Sequence, residues 1–310
     1  MDFARDAASP EALREMQKGL REPDERPLWA LVDPALLDGK RLRSILVSLG
    51  WSAINALQGS PLEVYGEHAP LWIALPTDED RAAQGLMRLL ALDARASALS
   101  LVQTAAPQAD LLALGAYLSR VLIDGDMLAH CRFADTRVLP ELLSNLTPAQ
   151  RTRVSHAVNA WAWFDHHASA RFWSRESHVD MAEHADMAPH LELDKIQFSA
   201  LLRASEPDTL FGLLNESTPE LVPADGFGPF RDHLDAVLDR ADARGVTSPN
   251  DRLQFAILAL SCGPDFDRTP ELQATWHDIE RGETTLVKAM KGWSDALWDR
   301  LQSRHEIPPR

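Results

Sequence analysis

The stretch PLWIALPTDEDRAAQGLMRLLAL, residues 70–92, changes its period halfway along. Leu71–Leu75 (LWIAL) is a short apolar run closed off by Pro70 and Pro76, and it reads as a buried strand. Within Glu79–Leu92, Ala83, Leu86, Met87 and Leu90 then fall at i, i+3, i+4 and i+7, one face of an amphipathic helix. A strand passing directly into a helix is the building unit of an α/β layer.

The same alternation extends outward in both directions. Upstream, Leu28–Val32 (LWALV) is a second apolar run, ending in the Asp33-Pro34 turn, and Leu42–Leu49 has helical spacing. Trp51–Leu57 is short and fits either state. Ser9 and Pro10 mark the start of an N-terminal helix, as cap and first helical residue. Downstream, Ala98–Thr104 predicts a strand, Ala109–Ile123 a helix, Met127–Phe133 a strand after the Asp124-Gly125-Asp126 turn, and Val138–Asn145 a helix. From about residue 175 strand-like runs give way to helices. Thr147-Pro148-Ala149-Gln150, Ser248-Pro249-Asn250-Asp251 and Thr269-Pro270-Glu271 each pair a hydroxyl cap with proline at the first position. Phe198–Leu214, Phe230–Ala243, Leu253–Cys262 and Glu283–Leu301 carry helical periodicity. The expected architecture is α/β (α+β): an N-terminal mixed-sheet α/β lobe over 1–174 and an all-helical lobe over 175–310.

Composition limits the function. The 310 residues are 45% hydrophobic and 25% charged, which suits a globular chain able to bury most of its apolar surface. A formal net charge of −15 argues against nucleic-acid binding, which draws much of its affinity from phosphate attraction. Residues 166–310 hold −10 of that charge and residues 1–165 hold −5, so the two lobes differ in character. The N-terminus lacks the basic-then-apolar order of a secretory signal, and no apolar run reaches the roughly 18 residues of a membrane span. Two cysteines, Cys131 and Cys262, both in apolar stretches, are expected to be reduced core thiols of a cytoplasmic protein.

No phosphate loop, dinucleotide-binding glycine turn or nucleophile elbow is present, and the residues call for no cofactor. Three clusters remain. Asp165, His166, His167, Glu176, His178, Asp180, Glu183, His184, Asp186 and His190 fall between 165 and 190 and are the right side chains for a metal. Their spacing matches no metal motif, which favours a solvated junction; the rival reading is a metal-dependent hydrolase. Arg132, Asp135 and Arg137 could hold a substrate carboxylate, but with no nucleophile nearby they read better as a structural ion-pair knot, Asp135 capping the next helix. Trp161, Trp163, Phe172 and Trp173, with Phe164, crowd into thirteen residues. They are candidate partner-binding anchors, or else filler of the seam between lobes.

Several segments, in this order, resemble the domain found in type VI secretion effector chaperones, also called adaptors. They are Leu28-Trp29-Ala30-Leu31-Val32-Asp33, Ala69-Pro70-Leu71-Trp72-Ile73-Ala74-Leu75, Tyr117-Leu118-Ser119-Arg120-Val121-Leu122 and Cys131-Arg132-Phe133-Ala134-Asp135-Thr136-Arg137-Val138-Leu139. The stretches Ala243–Val246, Leu253–Phe255 and Gly263–Asp267 look like the family's helical tail. Thr136 stands where the family usually has proline, Ala134 where it has an aromatic residue, and Trp72 where it has tyrosine. The resemblance implies a cytoplasmic, non-enzymatic protein that binds a toxic effector and loads it onto the VgrG spike. The helical lobe would then select the partner. An immunity-like protein that neutralises an effector would share these features.

Overall fold

Leu71–Ala74 forms β3 and Glu79–Leu90 forms α3, so the change of period at residue 76 is a change of secondary structure. The structure is a computed structural model that describes residues 4–21, 26–93, 95, 97–175 and 188–303. It divides into two compact units, Asp6–Ser205 and a helical unit of Glu206–Arg310 with Met1–Arg5. The division falls inside α7 (Lys195–Ser217), beside Pro207, whose ring removes one rung of the helical ladder. It lies later than the expected 174/175 boundary, because a short strand after residue 188 and the start of α7 pack with the α/β unit.

Six strands make the main sheet of that unit: β1 (Leu28–Val32), β2 (Ala53–Asn55), β3, β4 (Leu99–Gln103), β7 (Ala160–Phe164) and β8 (Ala170–Ser174), in the order β2-β3-β1-β4-β7-β8. Every pairing in it is antiparallel. A second sheet joins β5 (Arg120–Ile123), β6 (Met127–His130) and β9 (Leu191–Leu193), with β5 central. The mixed pairing expected of the lobe is confined to this small sheet, where β5 runs antiparallel to β6 and parallel to β9.

Side-chain alternation gives the main sheet a core on each face. Leu28, Ala30 and Val32 of β1, with Ile73 and Leu101, meet α1 (Pro10–Arg21), α2 (Gly39–Leu49) and α3. Leu31, Trp72, Val102 and Trp161 point the other way, into a core shared with α4 (Gln108–Ser119), α5 (Leu139–Ser144), α6 (Pro148–Ala157) and the small sheet. Burial of apolar surface at roughly 25 cal/mol per Å² makes these two cores the main source of stability. Gly115 allows α4 to approach the chain after β2, since a Cβ there would lie 2.2 Å from the Ala56 carbonyl oxygen. The cap at Ser9 is in place, its Oγ accepting from Ala12 N at 3.1 Å. The capping box of Thr147 and Gln150 starts α6.

Two sequence expectations shift here. The helix expected over Ala109–Ile123 stops at Ser119, because Val121 and Ile123 are β-branched residues drawn into the ladder with Ala129 and Met127. Strand β9 occupies a stretch expected to be free of strands; three residues are too few to show a period.

The helical unit is built from the second part of α7, α8 (Phe227–Ala243), α9 (Pro249–Ser261), α10 (Gln273–Glu280), α11 (Leu286–Met290) and α12 (Asp295–Gln302). Ser248 Oγ accepts from Asp251 N at 3.2 Å and starts α9. The helix expected over Glu283–Leu301 is broken around Gly292 into α11 and α12. Phe255, Phe266 and Trp276 form the aromatic centre, with ring centroids 4.8–6.2 Å apart. Beside them buried Asp267 pairs with Arg240 at 3.3 Å and Arg244 at 3.1 Å, while its carbonyl accepts from Trp276 Nε1.

Candidate functional site

The turn after β1 and the loop after β6 meet in a knot of opposite charges. Asp33 is buried, and one carboxylate oxygen caps the short turn Pro34–Leu36 by accepting from Ala35 N at 3.0 Å. Its other oxygen accepts from Arg132 Nη2 at 2.8 Å. Two residues beyond Phe133, buried Asp135 takes the whole fork of Arg137, with Nε at 2.9 Å from one oxygen and Nη2 at 2.5 Å from the other. Thr136 N donates to Ser97 O, and Asp33 N donates to Ala98 O, each at 2.9 Å. The loop is therefore fastened to the ends of β1 and β4 by side chains and backbone together.

The chemistry open to this knot is limited. Both aspartates already accept from guanidinium and amide donors, so neither has the free, basic oxygen of a general base. Cys131 is no nucleophile either: burial, and then the Asp135 carboxylate, push its thiol up to about 12, so it stays protonated near neutral pH. Arg132 pairs with Asp33, a partner the spacing of Arg132, Asp135 and Arg137 does not contain. The Val32-Asp33-Pro34 turn was its sequence signal.

The four aromatic residues expected as anchors separate by face. Trp161 and Trp163 are core residues; Trp161 lies 6.2 Å from Trp72 and donates its Nε1 to Ser100 Oγ at 3.0 Å. Neither ring can meet a partner in the folded chain. In the β7–β8 register Trp161 faces Trp173, and Trp173 packs on the same core. Phe172 points to the opposite face, 48% exposed, with its ring over Gly19 of α1; a Cβ on Gly19 would lie 2.6 Å from Phe172 Cζ. Alternation along two strands placed three rings inside and left one outside.

The acidic and histidine-rich segment divides as well. Asp165 closes the β7–β8 turn: it accepts from His167 N and Ser169 N at 2.9 Å each and from Arg171 Nε at 2.6 Å. Burial raises its carboxyl, but those hydrogen bonds outweigh it and leave the group below its ordinary value. The rings of His166 and His167 lie 4.4 Å apart in that turn, and His190 is partly buried just ahead of β9. Glu176, His178, Asp180, Glu183, His184 and Asp186 lie outside the described residues.

One surface was not singled out from the sequence. Exposed Met127 and Leu128 sit on β6, whose partner strand is β5 alone among the described residues. Exposed Val64 and Tyr65 stand at the His130 end, where the Tyr65 and His130 rings are 5.1 Å apart. Exposed Ile196 stands at the turn end, where Lys195 pairs with Asp124 at 3.0 Å. A usable signal was the strand composition itself, Met127-Leu128-Ala129-His130, which has no Lys, Arg, Asp, Glu or Pro.

The knot, the main sheet up to β4 and the β5–β6 hairpin together fall within one recognisable segment. Residues 28–153 match DUF4123, a domain of unknown function. The DUF4123 segment covers less than half of the chain and runs from β1 into α6. No curated protein and no solved structure matches the chain. Among the described residues, no helix is long and apolar enough to cross a membrane.

Proposed function

We propose that the chain is a non-enzymatic effector adaptor of a bacterial type VI secretion system, working in the cytoplasm. It holds a toxic effector and helps to load it onto the VgrG spike. The observation that carries this reading is the DUF4123 match over residues 28–153, since that family is linked to the effector chaperones of this system. The quoted motifs around Asp33 and Arg132 are spent on fastening a loop to a sheet, which suits a scaffold whose work is done by its surface. A patch of about 800 Å² per partner suffices for a stable complex. The net charge of −15 favours a basic effector segment and association that slows as salt rises.

Co-expression with the effector and spike encoded beside the chain, followed by pull-down, tests the proposal. Copurification of both is expected. A chain that retains neither overturns the reading. Retention of the effector without the spike, with the effector's activity blocked, would make the chain a neutralising immunity-like protein instead.

A further inference from the structure

Edge strands offer a row of backbone donors and acceptors to any extended chain, and proteins defend them with charge, proline, bulges or a covering element. Strand β6 has none of these residue defences: its four residues are Met127, Leu128, Ala129 and His130. Leu128 and His130 share one face of the strand, and the Tyr65 ring extends that face. Met127 and Leu128 are each about half exposed, while Val64 and Ile196 are more than three-quarters exposed. Met127 and Leu128 lie on the strand itself and Tyr65 meets its last residue, whereas Ile196 follows β9, on the other side of β5. Large exposed apolar groups gathered in one place mark an interaction surface.

We propose that β6 takes up an extended segment of a partner protein as an added strand, lengthening the β9-β5-β6 sheet. The backbone edge fixes the occupant's conformation, because only an extended chain can bond to a strand edge along its length. Four residues supply few backbone bonds, so side chains must provide the rest of the affinity. The guest therefore alternates, with apolar residues against Leu128 and Tyr65. Exposed Asp126 at the turn end, beside the Asp124–Lys195 pair, favours a basic residue at that end of the guest. The inference rests on the adaptor reading only for the name of the partner.

Panning a displayed library of random linear 12-residue peptides against the purified full chain tests it without the effector. Enriched peptides should alternate apolar and polar residues and bind Leu128→Lys at least tenfold more weakly than the wild type. Their affinity should be unchanged by Phe172→Ser, on the edge of the other sheet, and amide exchange along β6 should slow when they bind. Met127→Lys serves as the second variant should Leu128→Lys alter the circular dichroism spectrum. Enrichment of no Leu128-dependent peptide, or protection of amides elsewhere but not on β6, overturns the inference. So does a wild-type dimer that Leu128→Lys dissolves, since the edge would then be paired with a second copy. Leu128-dependent peptides from a chain that retains no effector would leave strand addition standing and remove only the adaptor reading.

Discussion

The hairpins β5–β6 and β7–β8 are built alike: a buried inner strand, a tight turn, and an outer strand with one neighbour among the described residues. Their outer strands are finished differently. On β8, Arg171 is tied back to Asp165 in the turn, and Phe172 rests over Gly19 of α1. On β6 no charged residue is present, and Met127 and Leu128 face solvent. One outer strand carries a charge and has its apolar ring seated on a helix; the other is uncharged, and its apolar side chains are exposed among the described residues. The difference shows that exposure of an apolar residue means little until its neighbours are known. Phe172 has a seat in the fold, and Leu128 has none among the described residues.

The inner strands should be the most sensitive part of the comparison. Trp161→Ala removes a fully buried ring and leaves Ser100 Oγ without its donor, so a loss of about 3–5 kcal/mol is expected. Phe172→Ala, on the outer strand of the same hairpin, should cost about 1 kcal/mol. Urea unfolding followed by tryptophan fluorescence separates the two. Equal costs would mean that Trp161 is not the core residue its position implies.

The charge knot comes next. Asp33→Ala strands Arg132 and uncaps the turn after β1, for an expected loss of about 2 kcal/mol, with Arg132 partly exposed and so partly solvated. Asp267→Ala in the helical unit leaves two arginines, Arg240 and Arg244, without their carboxylate and should cost more. Thermal unfolding of the two variants ranks the two knots. A neutral Asp33→Ala would show that the loop after β6 holds its place without the pair.

Asp165 tests the turn that joins β7 to β8. Its folded carboxyl lies below its ordinary value, so its bonds stabilise the fold above the ordinary carboxylate range. That stability disappears as pH falls through the folded value. Asp165→Asn should therefore cost about 1 kcal/mol at neutral pH and progressively less in acid. A pH-independent difference between the two proteins would mean that the charge of Asp165 contributes nothing to the turn.

Much of this framework could be read from sequence because it is local. The prolines around Leu71–Leu75, the period of α3 and the hydroxyl caps of α6 and α9 specify structure within a few residues. What escaped was set by distant parts of the chain. Nothing near Arg132 names Asp33, which lies 99 positions away and meets it only because β1 and the loop after β6 end together. The cluster of tryptophans told that the segment was rich in rings but not which face each ring took, since that depends on the register of β7 against β4 and β8. The uncharged composition of Met127–His130 was legible, but that the strand stands at an edge was not, for the order of strands in a sheet is a tertiary fact.

The smallest expected effect carries the comparison furthest. Leu128→Lys should change stability by less than about 0.5 kcal/mol, because the side chain is half in solvent and lies outside the buried cores. Phe172→Lys should cost more, although Phe172 is exposed to nearly the same degree, since its ring covers Gly19. Similar exposure with unequal cost is what separates a surface residue used by the fold from one left over by it. Chemical unfolding of both variants decides the point. If Leu128→Lys destabilises as much as Phe172→Lys, then Leu128 is held by the fold as Phe172 is.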